Sequence, residues 1–314
     1  MNQGINLATK TFITQMLSQR TSQSSIEMSI EDFRKLQSEL NSNFGGKVSA
    51  NIITTNDRIQ LKEHNISVCI HRPIDYKYGM PTLIYVAGGA FVTSGLNNIA
   101  PTRMAKNCQV IVIGHRLAPE CKIAECIDDV ALSIEKLIEN ASQFNIQGSI
   151  IIGGDSSGAS FALSAMIKLR DAKSSVFNKI NRMVFISPAV DLSMAQNTMK
   201  EWDDQDVLFS LDAVKAVQKW LSAENFKNPV VSPIYTPSFS GLPQCEIIVA
   251  EYDRLRSHAD SLYKKLLHDG VAVSVPHVCE GQVHAFLNLR GILTEGEDPA
   301  IVLNQMITNL KTKT

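Results

Sequence analysis

From about residue 65 onward, short uninterrupted apolar runs alternate with longer stretches whose apolar residues recur every three or four positions. The runs are Ser67–His71, Thr82–Val86, Val110–Gly114, Ser149–Gly153, Met183–Ser187, Glu246–Ala250 and Ala272–Val278. The stretches of helical period lie near 98–107, 125–140, 158–170, 256–269 and 299–311. Strands alternating with helices predict an α/β fold with a mostly parallel sheet covered on both faces. Ile111-Val112-Ile113 and Ile150-Ile151-Ile152 are apolar at every position, as strands buried on both sides must be.

Two regions depart from this rhythm. Residues 1–45 are polar and helix-leaning, with Ile5, Phe12 and Met16 near helical spacing. Within them, Ser29 and Asp32 form a capping-box pattern that opens a second helix with Phe33, Leu36 and Leu40 on one face. Asn43-Phe44-Gly45-Gly46 then breaks the pattern. Segment 192–243 carries the acidic run Asp203-Asp204-Gln205-Asp206, a helix-like stretch near 210–224 and several prolines. An insertion of this length among regular units predicts a lid or cap.

Composition narrows the functional classes. The 314-residue chain is 44% hydrophobic and 19% charged with a net charge of −1, so it can fill a large core. It offers no electrostatic case for nucleic acid or an anionic membrane. The six cysteines, Cys69, Cys108, Cys121, Cys126, Cys245 and Cys279, read as reduced thiols of the core. No CxxC pair is present, so a structural zinc site is not expected. The first residues lack a basic then apolar secretory pattern, and no apolar stretch is long enough to span a bilayer, so the expected location is cytoplasmic.

The sharpest local signal is Gly154-Asp155-Ser156-Ser157-Gly158, between an apolar strand and a helical run. A G-x-S-x-G elbow needs that strand–turn–helix context. The turn lifts the serine hydroxyl clear of the sheet, and the flanking glycines pass close to neighbouring backbone. The helix that starts there places its positive end where an oxyanion would form. A phosphate-binding loop is the rival reading of a Gly-rich turn, but its GK[ST] ending is absent.

A serine nucleophile needs a base, and the base an orienting acid. In α/β hydrolases these follow the serine in the order acid, then histidine. Asp253 follows the run Glu246–Ala250, and His284 follows Ala272–Val278. Alone, Asp253 would read as a turn or helix-capping residue and His284 as a core histidine. His277 is the nearest rival base but sits inside a strand-like run. His115 reads as structural, and Asp128 and Asp129 as the N-terminal turn of a helix.

Several blocks in order make a resemblance specific. They are His115-Arg116-Leu117-Ala118-Pro119-Glu120, Gly154 to Gly158, Ile186-Ser187-Pro188-Ala189-Val190-Asp191-Leu192, Ser232-Pro233-Ile234, Ala250-Glu251-Tyr252-Asp253-Arg254-Leu255-Arg256 and Gly281-Gln282-Val283-His284-Ala285-Phe286. Together they resemble the hormone-sensitive-lipase-like family of α/β-hydrolase esterases. The resemblance implies an α/β-hydrolase fold, with Ser156 as nucleophile, Asp253 as acid and His284 as base. It further implies a helical cap built from residues 1–45 and part of 192–243, over a catalytic domain spanning 46–314.

The sequence departs from the family where its H-G-G-G motif should stand, reading Ala87-Gly88-Gly89-Ala90. The oxyanion donors are backbone N–H groups, assigned here to Gly89, Ala90 and Ser157. Ala87 cannot form the hydrogen bond of the family histidine, and a positive φ at Ala90 would add about 1–2 kcal/mol of strain. The expected activity is hydrolysis of short- to medium-chain acyl esters through an acyl-enzyme, with a small-molecule ester as partner and no metal or organic cofactor. A catalytically weak or inactive ligand-binding protein of the same fold stays open as an alternative. So does an amidase or lactonase using the same triad, and so does a homodimer.

Overall fold

The computed structural model describes Thr11 and residues 28–193, 211–223, 225–291, 293 and 297–308. Ile5, Phe12, Met16 and the acidic run 203–206 lie outside the described residues. Eight strands form one sheet: β1 (Ile52–Gln60), β2 (Asn65–Pro73), β3 (Thr82–Val86), β4 (Gln109–Ile113), β5 (Ile150–Asp155), β6 (Ile180–Ile186), β7 (Gln244–Tyr252) and β8 (His277–Val283). Their spatial order is β1-β2-β4-β3-β5-β6-β7-β8. β1 and β2 pair antiparallel, as do β2 and β4, and from β4 to β8 every pairing is parallel.

The central strands are apolar throughout because each face meets its own core. Ile84, Val86, Ile111, Ile113 and Ile152 belong to one apolar cluster, while Leu83, Tyr85, Val110, Val112 and Ile151 belong to the other. Alternate residues of one strand thus enter opposite layers. The first layer is covered by α3 (Ile123–Glu139) and α4 (Ser157–Asp171), the second by α2 (Ala100–Met104) and α7 (Pro299–Thr308). Further helices are α1 (Ile30–Phe44), α5 (Leu211–Leu221) and α6 (Arg256–His268). No described helix is long and apolar enough to cross a membrane.

Helix α1 starts where the capping pattern places it. Ser29 is the N-cap, and its Oγ accepts the Asp32 N–H at 3.0 Å. The Asp32 carboxylate turns back onto the Ser29 hydroxyl (2.8 Å) rather than onto the Ser29 backbone. Arg34 then ties the helix to the body of the molecule. Its guanidinium donates to the Val92 carbonyl at 2.8 Å and to both oxygens of Glu120 at 2.7 and 2.8 Å.

Three sequence expectations need correction. β1 has no counterpart among the predicted strands, because Ile-Ile-Thr-Thr-Asn-Asp-Arg-Ile-Gln is polar at most positions and only Ile59 is buried. It is an edge strand, held by its pairing with β2 rather than by burial. The strand expected at Ala272–Val278 starts only at His277, and Val273 makes a single isolated bridge to Cys245. Asp128 and Asp129 do not form the first turn of a helix: α3 starts at Ile123, where Glu125 closes a capping box onto the Lys122 N–H. Asp129 is instead buried and receives Arg116, through its backbone N–H and its guanidinium at 2.9 Å each, and His64 at 2.9 Å. All six cysteines are free thiols, five of them buried.

Candidate active site

In a parallel sheet the loops that leave the carboxyl ends of the strands share one rim, and this sheet delivers its reactive side chains there. Ser156 follows β5, Asp253 follows β7 and His284 follows β8, while the loop after β3 supplies residues 87–91. The turn at Ser156 is strained, with φ 50° and ψ −123°. Its N–H is anchored to the Ile186 carbonyl at 3.0 Å. The glycines around it are dictated by close approach. A Cβ on Gly158 would stand 2.1 Å from the Val86 carbonyl oxygen, and one on Gly154 would stand 2.6 Å from the Gly158 backbone.

The structure brings the three sequence-selected side chains together in a line. His284 Nε2 lies 3.2 Å from Ser156 Oγ. On the other side of the ring, His284 Nδ1 lies 3.0 Å from each Asp253 carboxylate oxygen. An ionised carboxylate only accepts, so Nδ1 carries the proton and Nε2 faces the hydroxyl as an acceptor. Asp253 is fully buried and also accepts the Leu255 N–H at 2.7 Å. Burial pushes its pKa up, but the His284 charge and hydrogen bond outweigh that and hold the carboxyl below its ordinary value. His277, the rival base, lies at the opposite end of β8 and contacts Glu297 instead, at 2.7 Å. His115 is buried, with Nδ1 2.6 Å from the Arg116 carbonyl oxygen.

The loop after β3 is held differently from what its sequence suggests. Ala90 has φ 52° and Phe91 φ 68°, so the strain anticipated at Ala90 is present. Ala87 cannot hold the loop; Asp155 does. Its Oδ1 accepts the Gly88 N–H at 2.8 Å and the Tyr85 hydroxyl at 2.7 Å, while Asn288 donates to its Oδ2 at 3.3 Å. Burial raises the Asp155 carboxyl above its ordinary value in spite of these donors. Sequence reasoning passed over Asp155, Tyr85 and Asn288. The one signal available was an acidic residue placed directly before the elbow serine, at the end of a strand that is otherwise apolar.

The three expected oxyanion donors stand in different states. The Gly89 N–H is already engaged, donating to Ser157 Oγ at 3.0 Å. The Ser157 N–H, at the first position of α4, has no intrahelical acceptor. Among the described residues the Ala90 N–H makes no backbone hydrogen bond.

Ser156, His284, Gly89 and Ala90 open onto a pocket whose walls are mostly apolar. Phe33, Leu36 and Leu40 of α1 line it, with Ala213, Ala216, Val217 and Trp220 of α5 and Phe286, Leu287 and Leu289 after β8. Phe33 and Trp220 touch, with ring centroids 5.0 Å apart. Close enough to Asp253 and His284 to feel their charges lies His258, buried, with neither ring nitrogen hydrogen-bonded among the described residues. Burial pushes its pKa down to about 4, against the opposing charges of Asp191 and Asp253.

A mostly parallel eight-stranded sheet with a strained serine elbow at its rim defines the α/β-hydrolase class. The chain belongs to that family, whose model, described as alpha/beta hydrolase fold, matches residues 83–288, and it is a hydrolase of the hormone-sensitive-lipase-like kind. Among curated relatives, an arylesterase from Saccharolobus solfataricus is 28% identical over 241 residues, covering 74% of this chain and 77% of that protein. An ethyl acetate hydrolase from Pseudomonas putida is 23% identical over 248 residues, covering 76% and 77%. Among solved structures, a thermostable esterase from Pseudomonas putida superposes with a TM-score of 0.85 at 18% identity, covering 99% of this chain and 98% of that one.

Proposed function

We propose that this chain is a serine carboxylesterase in which Ser156 attacks the ester carbonyl, His284 takes its proton and Asp253 orients and stabilises the imidazolium. The observation that carries this reading is the continuous Ser156–His284–Asp253 contact at 3.2 and 3.0 Å at the floor of an apolar pocket. The acyl-enzyme forms as the C–O bond breaks and the alcohol leaves with the proton returned by His284. Water, deprotonated by the same imidazole, then releases the acid. The Ala90 and Ser157 N–H groups stabilise the oxyanion, joined by Gly89 once Ser157 Oγ lets go of it.

The apolar walls suit the acyl chain of a short- to medium-chain ester, and α1 and α5 act as the cap over them. The esterase and arylesterase relatives support ester chemistry rather than amide or lactone cleavage. One observation favours a weakly active protein: the Gly89 donor is occupied and its neighbour Ala90 is strained.

The decisive experiment is hydrolysis of p-nitrophenyl acetate and butyrate, combined with fluorophosphonate labelling and mass mapping. A burst of p-nitrophenol, label on the peptide containing Ser156, and loss of both in Ser156→Ala are expected. Unchanged turnover in Ser156→Ala would refute the assignment. Tight ligand binding without turnover of any acyl ester would favour the weak-hydrolase reading instead.

A further inference from the structure

Away from the triad, three ligating side chains of different kinds meet at the outer edge of the sheet: His277, Cys279 and Glu297. His277 and Cys279 are alternate residues of β8, so the pleat points both side chains to the same face. Their backbone is fixed by the parallel register with β7, opposite Ile248 and Ala250. Glu297 arrives from the far end of the loop that follows β8. Its neighbour Asp298 pins it there: Asp298 Oδ1 caps α7 through the Ala300 N–H at 2.9 Å, and Oδ2 lies 3.6 Å from Arg103 and 3.5 Å from Arg290. Glu297 Oε2 lies 2.7 Å from His277 Nε2, and one ligand atom from each of the three residues lies within 4.8 Å of the others.

We propose that His277, Cys279 and Glu297 form a binding site for a divalent transition metal of the zinc type, with the fourth position left to water. Bonds of about 2.0–2.3 Å around a tetrahedral ion would place its ligand atoms roughly 3–4 Å apart. His277 and Glu297, now 2.7 Å apart, would part slightly to admit it, and all three ligand atoms already lie within 4.8 Å of one another. An imidazole, a thiolate and a single carboxylate oxygen suit zinc and its neighbours, whereas calcium and magnesium demand oxygen ligands. Glu297 faces both the His277 ring and the buried Cys279 thiol, so its carboxylate is the hub on which the other two donors converge. On binding, Cys279 releases its proton to solvent, and the metal replaces the hydrogen bond between His277 and Glu297. No CxxC spacing announces the site, because two ligands use the two-residue repeat of a strand and the third arrives across a loop. The ion would tie together both ends of the segment that carries His284 and the pocket residues Ala285 to Leu289.

The test is titration of the metal-stripped full-length protein with Co2+ and then Zn2+. One equivalent of Co2+ is expected to give a thiolate-to-cobalt charge-transfer band in the near ultraviolet, which Zn2+ abolishes by displacement. The thermal midpoint should rise with zinc concentration. Glu297→Gln, at a half-exposed position, should weaken zinc binding at least about tenfold, the low end of what losing even an outer-sphere partner costs. Cys279→Ser should remove the charge-transfer band. Glu297→Gln keeps the test independent of packing around the buried thiol, and its metal-free ester hydrolysis should equal that of the unaltered chain. A folded protein with no charge-transfer band, or a band and affinity unchanged in both variants, would overturn the proposal.

Discussion

At Ser157 a single hydroxyl changes the oxyanion region. Its Oγ accepts the Gly89 N–H, one of the donors assigned to the oxyanion in the proposed mechanism. Breaking an intramolecular hydrogen bond of this kind costs about 0.5–1.5 kcal/mol net. If each catalytic cycle must break it, Ser157→Ala raises kcat by about 2- to 10-fold with little change in KM. Steady-state kinetics on p-nitrophenyl butyrate measures this, and an equal or lower kcat would show that Gly89 takes no part. Asp155 is the complementary case. Its buried carboxylate gathers the Tyr85 hydroxyl and the Gly88 N–H, so the same loop is held by a side chain from the next strand. The elbow motif made Ser156 legible. Asp155 was not legible as a clamp, because its partners lie about seventy positions away in the chain and only the pairing of β3 with β5 brings them close.

At the scale of elements, the pocket depends on two helices outside the sheet. Helix α1 is attached through Arg34, which reaches the Val92 carbonyl and Glu120. The hydrogen bond and charge of Arg34 hold the Glu120 carboxyl down to about 2. Since Glu120 has a depressed value, its attraction for Arg34 is present above the ordinary carboxylate range and lost as pH falls towards about 2. The pair is exposed and screened by salt, so Arg34→Ala should leave global stability within about 1 kcal/mol. Its effect is local: faster amide hydrogen exchange across residues 30–44 and a higher KM for p-nitrophenyl butyrate. Unchanged exchange there would mean that apolar packing alone holds the helix. Where α1 meets α5, Phe33 and Trp220 close one wall of the pocket. Trp220→Ala opens that wall, and a chain-length series of p-nitrophenyl esters should show the optimum moving to longer acyl groups. An unmoved optimum would place the acyl chain elsewhere.

At the scale of the whole molecule, the fold carries several histidines it keeps neutral. Burial pushes His71 and His258 down to about 4, and burial also lowers His115. Unfolded, each returns to 6.5. Between those values the unfolded chain binds protons that the native one refuses, so the contribution of these residues to stability is complete above 6.5 and drains away as pH falls towards 4. Each fully shifted histidine is worth on the order of 3 kcal/mol over that window. The carboxyls of Asp129 and Asp253, held below 3.8, add their loss only at still lower pH. Urea unfolding should therefore show a marked drop in stability from about pH 7 to about pH 5, a slope that His258→Gln reduces by one histidine's share. Equal slopes in both proteins would mean that His258 is not held neutral.

Periodicity in the chain was enough to determine the alternation of strands and helices, because doubly buried strands must be apolar at every position and helices must repeat every three or four residues. It also placed Ser156, Asp253 and His284 just beyond strands, where a parallel sheet gathers its loops. Tertiary structure alone decided the rest. The polar edge strand β1 exists through pairing rather than burial. Asp129 is a buried anchor for Arg116 rather than part of a helix's first turn. Gly89 spends its N–H on Ser157, and Glu297 meets His277 across a loop. Each of these depends on which particular atoms meet within a hydrogen-bond length, and the local order of apolar and polar residues encodes no such distance.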